Sequence, residues 1–278
     1  YGANGLISGT GFPSATINFI RKRPGVDFAA TGGLSTGSWD RLRLDADVSG
    51  KLIDSGRIRG RLVVAREQAN SYLDRYDRSK NVFYGIVEAD LGEATQLAVG
   101  HNQQHNKARG IMWGALPMLY SNGQATHYDA STSTSTDWSF WNSTLKTTFA
   151  ELNHQLNADW NAKVVLTRNE YSNQGTMFYA YGTPEQGSGL GLFSYPSQYN
   201  FLNKQTQIDA GISGKFALFG RKHELSFGAN RSRSVVDDVS HYSAATGTAL
   251  PSLENWTGNY PIPNLNASRD SSQFVYKQ

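Results

Sequence analysis

The chain of 278 residues contains no cysteine. That excludes a disulfide scaffold, a thiolate metal site and a cysteine nucleophile. It also lacks any apolar run of the roughly 18 residues that a membrane-crossing helix requires. A barrel that crosses a membrane with strands needs only every second residue apolar, so this absence does not exclude one. Charge of one sign is missing too. The 26 Lys and Arg against 23 Asp and Glu leave a formal net charge of +3, which does not describe a dedicated nucleic-acid binder. No dinucleotide or P-loop glycine motif occurs, so a phosphate cradle is not expected. There is no extended i, i+3, i+4, i+7 apolar series. No repeat of the solenoid or propeller type is present either.

What is present is a period of two. Leu42, Leu44, Ala46 and Val48 alternate with Arg41, Arg43, Asp45 and Asp47. Ile58, Gly60, Leu62 and Val64 alternate with Arg57, Arg59 and Arg61. The pattern returns at Trp160, Ala162 and Val164, at Ile208 to Phe216, and at Leu225, Phe227 and Ala229. Successive strand side chains point to opposite faces, so each segment has one greasy and one polar face. Arg41, Arg43, Asp45, Asp47, Arg57, Arg59 and Arg61 are too many charges for a packed soluble core, but they can face the lumen of a wide barrel.

Strands are expected near 27–36, 39–49, 57–68, 80–91, 95–106, 137–150, 155–171, 202–217 and 222–236, with a tenth beginning near 271. Several run to about ten residues, the length that spans a bilayer when tilted. Short connections at Lys51–Gly56, Gly92–Ala94, Leu152–His154 and Leu218–Arg221 alternate with longer ones. The long ones lie near Ala69–Ser79, Asn106–Asp137, Ser172–Phe201 and Asp237–Asp270. Short turns at one end and long loops at the other are the outer-membrane pattern, with the long loops extracellular. The hairpin at Gly37-Ser38 is short at the long-loop end. Ala130–Thr136 and Gly187–Gly191 read as loop tips.

Gly5 to Pro24 combine a glycine-rich turn, a Pro-Ser-Ala-Thr step, a short strand at Thr16–Ile20 and a basic stop. Gly9, Gly11, Pro13, Ser14, Ala15, Thr16, Ile17, Asn18, Arg21, Lys22, Arg23 and Pro24 fill a pattern that closely resembles the end of the plug domain in TonB-dependent outer-membrane siderophore receptors. The resemblance implies an all-β fold: a transmembrane antiparallel β-barrel preceded by the C-terminal end of a plug. Residues 1–26 would be that end of the plug. Residues 27–278 would be the N-terminal part of the barrel, nine or ten strands out of about 22. The chain would then be a fragment lacking the N-terminal box on which TonB pulls.

The function so implied is binding of a ferric siderophore at the extracellular face, with import into the periplasm on energy from the inner-membrane proton gradient. The implied partners are the siderophore, TonB, and outer-membrane lipid and lipopolysaccharide, with the full-length receptor a monomer of a Gram-negative outer membrane. Iron arrives already chelated, so no metal ligand and no cofactor of the protein's own is expected. No covalent chemistry is required, and an enzyme is not expected. The alternatives are a plugged receptor for haem, cobalamin or a sugar, a passive porin, and a soluble all-β carbohydrate-binding or hydrolytic domain.

Arg109 to Gly123, RGIMWGALPMLYSNG, is similar to the Gly-Leu-Pro…Tyr-Ser-Asp-Gly loop of ferric coprogen and pyoverdine-type receptors, departing from it at Ala115 and Asn122. In that subfamily aromatic residues at the loop bases face the siderophore. The resemblance nominates Trp113 first, then Tyr120 and Trp141, with Trp138, Tyr179 and Tyr181 behind them. Large rings provide rigid contact area at low entropic cost. Trp and Tyr also form the girdles of membrane interfaces, where Trp39 and Trp160 are expected. His101 and His105 have HxxxH spacing, but along a strand the two positions are about 13 Å apart and cannot share one ion unless the chain bends.

Overall fold

The computed structural model describes residues 20–277. The glycine-rich part of the plug-like motif, Gly5 to Asn18, and the short strand expected at Thr16–Ile20 lie outside these residues except at Ile20. The described residues form one antiparallel sheet of ten strands in sequence order. The strands are β1 (Ala29–Gly37), β2 (Arg41–Lys51), β3 (Ile58–Asn70), β4 (Asp77–Asp90), β5 (Thr95–Arg109), β6 (Phe140–Gln155), β7 (Trp160–Gly182), β8 (Leu192–Leu218), β9 (Arg221–Tyr242) and β10 (Ser268–Lys277). One short 3-10 turn, Leu253–Asn255, is the only helical element among them, and no helix is long and apolar enough to cross a membrane.

The alternation works as expected. Leu44, Val48, Leu62, Val64, Phe83, Val87, Val99, Leu152, Val164, Leu166, Ile208, Phe216 and Phe227 are all exposed. They share one face of the sheet through the pairings Val64↔Phe83, Val87↔Val99, Leu97↔Leu152, Leu152↔Val164, Leu166↔Ile208 and Ile212↔Phe227. An exposed apolar face this continuous requires an apolar surrounding. Trp160 lies at the short-turn end of this face and Trp39 at the opposite end, edge-on to Tyr72. The opposite face carries the charges, and residues 21–25, which precede β1, lie against it.

Four expectations are corrected. The long connection expected near Ser172–Phe201 is mostly strand: β7 runs on to Gly182 and β8 starts at Leu192. In the same way β9 continues to Tyr242, so the last long loop begins at 243. The turn expected at Leu152–His154 belongs to β6, and the chain reverses instead at 156–159. β7, β8 and β9 therefore rise well past their regularly alternating stretch. Ala130–Thr136 is also not an exposed tip at its end: Ser133, Thr134, Ser135 and Thr136 are buried. Arg75 holds them, donating from Nη2 to Ser133 O at 2.5 Å and from Nε to Ser135 Oγ at 3.3 Å, while the Trp256 indole donates to Ser135 O at 2.8 Å.

His101 and His105 lie within β5, not at its end, and point to the apolar side of the sheet. Each ring Nδ1 is paired to a threonine hydroxyl on β6, Thr148 at 2.8 Å and Thr144 at 2.7 Å. No group of three or more metal-ligating side chains occurs among the described residues. A Gly-x-Ser-x-Gly spacing at Gly33 to Gly37 lies inside β1, not on the strand-to-helix turn that a nucleophile elbow requires.

Candidate ligand-binding site

At the long-loop end the polar face of β7, β8 and β9 carries a band of rings. Pairings Tyr179↔Tyr195 and Tyr181↔Phe193 place four of them side by side, and Tyr199 and Tyr242 continue the band. Period two delivers this arrangement: 179 and 181, and 193, 195 and 199, share one face. Trp113, from the loop between β5 and β6, lands on this band. Its ring centroid is 5.9 Å from Tyr179, 6.1 Å from Tyr195 and 5.2 Å from Tyr199. All four rings are half-buried, which leaves aromatic surface open to a ligand.

The loop reaches this position through two glycines with positive φ. Gly110 (60°) reverses the chain immediately after β5, and its N–H donates to Ser139 O at 2.8 Å, closing the base of the loop. Gly114 (87°) passes so close over Tyr179 that a Cβ there would lie 2.3 Å from the ring. Only glycine fits both the backbone conformation and the space.

Trp141 joins the band from the side. It stands on β6 opposite Gly175, which in turn faces Tyr199 on β8, and the missing side chain of Gly175 makes room for the indole. Of the residues nominated from sequence, Trp113, Tyr179, Tyr181 and Trp141 therefore come together on one face. Tyr120 does not. It lies in the loop's own hairpin, which is tied to the β7–β8 loop by Ser121 N–H to Pro184 O at 2.9 Å and by Asn122 to Gln186 at 2.6 Å. Trp138 is on the opposite face of the sheet. It packs edge-on against Phe178 at 6.0 Å and donates its indole N–H to Tyr260 O at 2.8 Å. There it belongs to a small core with Leu192, Leu250, Leu253 and Trp256 that fastens both long loops to the outside of the wall. Tyr195, Tyr199 and Tyr242 were not nominated; they fall in or beside stretches read as loop.

A second constellation sits on the same polar face near the short-turn end. Arg23 donates to Glu88 of β4 at 2.8 Å and to Glu151 of β6 at 2.5 Å. The two carboxylates are buried, with side chains only 6% and 2% exposed. Burial works against the Arg23 charge, but the two carboxylates outweigh it and raise its pKa further above the usual guanidinium value. Lys22 pairs with Asp47 at 2.7 Å, and Arg61 bridges Asp47 (2.7 Å) and the Arg23 carbonyl (2.9 Å). The Arg21 guanidinium stands 4.2 Å over the Phe149 ring. The basic stop Arg21-Lys22-Arg23 is thus a plug for three acidic sockets in the wall. An apolar groove of about 600 Å³, lined by Val48, Leu52, Leu62, Phe83, Val87 and Val99, opens on the other, exposed face and has no part in either constellation.

No family model matches the chain. It is 35% identical over 277 residues to the "Ferric-pyoverdine BN7/BN8 receptor" of Pseudomonas putida, covering 98% of this chain and 34% of the relative. It is 34% identical over 268 residues to the "Ferripyoverdine receptor" of Pseudomonas aeruginosa, covering 95% of this chain and 32% of the relative. The crystal structure of the ferripyoverdine receptor of the Pseudomonas aeruginosa outer membrane, bound to ferripyoverdine, superposes with a TM-score of 0.92 at 32% identity, over 99% of this chain and 37% of that one. The chain spans about a third of the length of the curated relatives it matches.

Proposed function

We propose that this chain, which belongs to the TonB-dependent siderophore receptors, is the stretch of an outer-membrane receptor that joins the end of the plug to the first ten barrel strands and presents one wall of the siderophore site. Its exposed apolar face meets lipid, and its polar face lines the lumen. Backbone groups in hydrocarbon must be satisfied internally, so the sheet is completed to a closed barrel by further strands. The long loops face outward from the cell.

The observation that carries the binding reading is Trp113 seated on Tyr179, Tyr195 and Tyr199 with Trp141 beside them, on the lumenal face at the long-loop end. A ferric siderophore is a bulky chelate with planar and amide surfaces. Rigid rings take up such surfaces with little loss of side-chain entropy. The iron arrives with its ligands already in place, so the wall supplies contact area and no donor set. Relatives are receptors named for ferric pyoverdine, and a peptidic chelate of that class is the ligand proposed here.

Transport then needs the plug to move while the barrel stays. The basic stop sits at that junction. Arg23 bonds β4 and β6 together, and Lys22 and Arg21 add Asp47 and the Phe149 ring, so the last plug residues are held to the wall. TonB, driven by the inner-membrane proton gradient, would pull on a segment nearer the N-terminus of the whole receptor. No step makes or breaks a covalent bond, so the receptor is a transporter and not an enzyme.

The test is ligand binding to the full-length receptor purified in detergent. Ferric pyoverdine, ferric coprogen, ferrioxamine, haem and cobalamin are each titrated while tryptophan fluorescence is followed. Saturable quenching by a ferric siderophore supports the reading. Quenching by haem or cobalamin alone, or an open ion-conducting pore in the same preparation, overturns it.

A further inference from the structure

Arg75 lies in the short connection between β3 and β4, residues 71–76, and has φ 67°. Tyr76 N–H donates to Leu73 O at 3.3 Å, so Arg75 is the third residue of a turn closed by that bond. A third turn residue with positive φ is normally glycine or asparagine, which adopt left-handed backbone at low cost. An arginine held there points to a use for its carbonyl or its side chain in that place.

Both are engaged. The carbonyl packs against Gly110, the first residue after β5: a Cβ on Gly110 would lie 2.0 Å from Arg75 O. Gly110 starts the turn that sends Ile111, Met112 and Trp113 to the lumenal rings. The guanidinium serves the other end of the same loop, donating to Ser133 O and Ser135 Oγ. The neighbouring Asp74 N–H donates to Ser131 O at 2.8 Å. The stem reaches a third loop. Between β9 and β10, Gly258 has φ 81°, and a Cβ on it would lie 2.4 Å from Arg75 Cδ. The Gly258 carbonyl accepts the Asp137 N–H at 3.1 Å. One residue of a short connection thus touches both ends of the β5–β6 loop and the β9–β10 loop as well.

The β5–β6 loop straddles the rim of the wall. It leaves β5 toward the lumen with Trp113 and returns to β6 on the outer side with Trp138. Arg75 stands where the two halves meet. Only three residues of chain lead from Gly110 to Trp113, a reach of at most about 11 Å. On the far side of Trp113, Gly114 is seated on the Tyr179 ring. An arm this short, fixed at both ends, carries a displacement at Gly110 directly to the indole.

We infer that Arg75 is a positioning residue for the ligand wall. Through Gly110 it sets Trp113 over Tyr179, Tyr195 and Tyr199, and through Gly258 it makes that setting depend on the β9–β10 loop. It acts on the ligand through Trp113 and not by contact. Where Trp113 sits follows from the loops alone; only the effect on affinity rests on the siderophore reading.

The test incorporates 5-fluorotryptophan into the full-length receptor in detergent. The Trp113 fluorine resonance is assigned with Trp113→Phe, and Trp160 at the short-turn end is the internal reference. Arg75→Gly removes the side chain and suits left-handed backbone, so the turn survives. In that variant the Trp113 resonance should shift or broaden before any ligand is added, while that of Trp160 stays. Affinity for ferric pyoverdine should fall about fivefold. Arg75→Lys keeps the stem against Gly258 and one donor, and should return the resonance most of the way. Gly258→Ala presses on the Arg75 stem. It should move the Trp113 resonance in the wild-type background and have little effect on it in the Arg75→Gly background, where the contact that carries the displacement is gone. A general loss of loop stability would make the two changes add. An unmoved Trp113 resonance in Arg75→Gly, or additive shifts in the double variant, overturns the proposal. A moved resonance with unchanged pyoverdine affinity upholds the positioning by Arg75 and counts against the siderophore wall, so the two readings fail separately.

Discussion

Trp113 meets Tyr199 nearly edge-on, with ring centroids 5.2 Å apart and planes at 76°, although the first belongs to a loop and the second to the middle of a wall strand. The contact fixes the loop to the lumenal side of the barrel and leaves both rings half-open. Edge-to-face pairs of this kind are worth about 1 kcal/mol beyond the area they bury. The loop position is therefore held mainly by its two ends and by the glycines that turn it.

Gly114→Ala should show this. The substitution puts a Cβ at φ 87° and 2.3 Å from the Tyr179 ring. Left-handed backbone in a non-glycine residue costs roughly 1–3 kcal/mol, and the clash cannot be relieved without lifting the loop. Siderophore affinity should fall about tenfold or more, with the barrel's thermal midpoint unchanged. An unchanged affinity would mean that the loop does not position Trp113 for the ligand.

Arg75→Ala attacks the same loop from behind. It removes the donor to Ser133 O and Ser135 Oγ; the latter still accepts from Ser133 Oγ, and the buried Ser133 carbonyl is left unsatisfied at about 1–3 kcal/mol. Hydrogen exchange across residues 130–139 should speed up while the exchange of β7 and β8 stays as before. Protection equal to wild type would show that Trp256 and the backbone bonds at Ser131, Asp137 and Ser139 hold the segment without Arg75.

Arg23→Ala should loosen the hold of residues 21–23 on the sheet. Breaking a buried ion pair on one side leaves the other side's charge short of partners, but Glu151 keeps Lys163 at 3.2 Å and Glu88 keeps Arg59 at 3.8 Å; for two part-compensated carboxylates and a partly exposed arginine, roughly 1–2 kcal/mol is expected. Adding Glu88→Gln and Glu151→Gln to Arg23→Ala should recover part of that loss, because the buried carboxylate charges are then gone, although the pairs with Lys163 and Arg59 go with them. The readout is the denaturation midpoint of the full-length receptor and proteolysis around residues 20–28. If the triple variant is less stable than Arg23→Ala alone, the cost lies in lost hydrogen bonds and not in uncompensated charge.

The membrane-facing halves of the strands were readable from sequence because lipid demands an apolar residue at every second position. Leu62 and Val64, and Ile208 to Ile212, had no freedom to be otherwise. That demand ends where the strands leave the bilayer. From Arg168 upward β7 shows polar residues on its outward side, Glu170, Ser172 and Gln174, and the period disappears from the sequence although the strand continues to Gly182. Tyr195 and Tyr199 were hidden for that reason, though the spacing of Tyr179 with Tyr181 and of Phe193 with Tyr195 was a usable signal. Ser133 to Thr136 read as solvent-exposed because they are polar, and the groups that satisfy them, Arg75 and Trp256, are distant in sequence. The sockets for Arg23 lie 65 and 128 residues away, beyond any local pattern. Trp113 was legible through its loop. Trp138 was not separable from it, since nothing local says which face of the wall a loop tryptophan will cover.

That pair gives the most direct test of the central claim, that the ligand binds the lumenal aromatic wall. The affinity of the full-length receptor for ferric pyoverdine would be measured in Trp113→Ala and Trp138→Ala. Trp113→Ala should weaken binding roughly thirtyfold, the scale of a 2 kcal/mol contact residue, with an unchanged thermal midpoint. Trp138→Ala should lower the stability of the outer core by about 2–3 kcal/mol and leave affinity within about threefold. Strong loss of affinity in Trp138→Ala with none in Trp113→Ala would contradict the account and move the site to the other face of the wall.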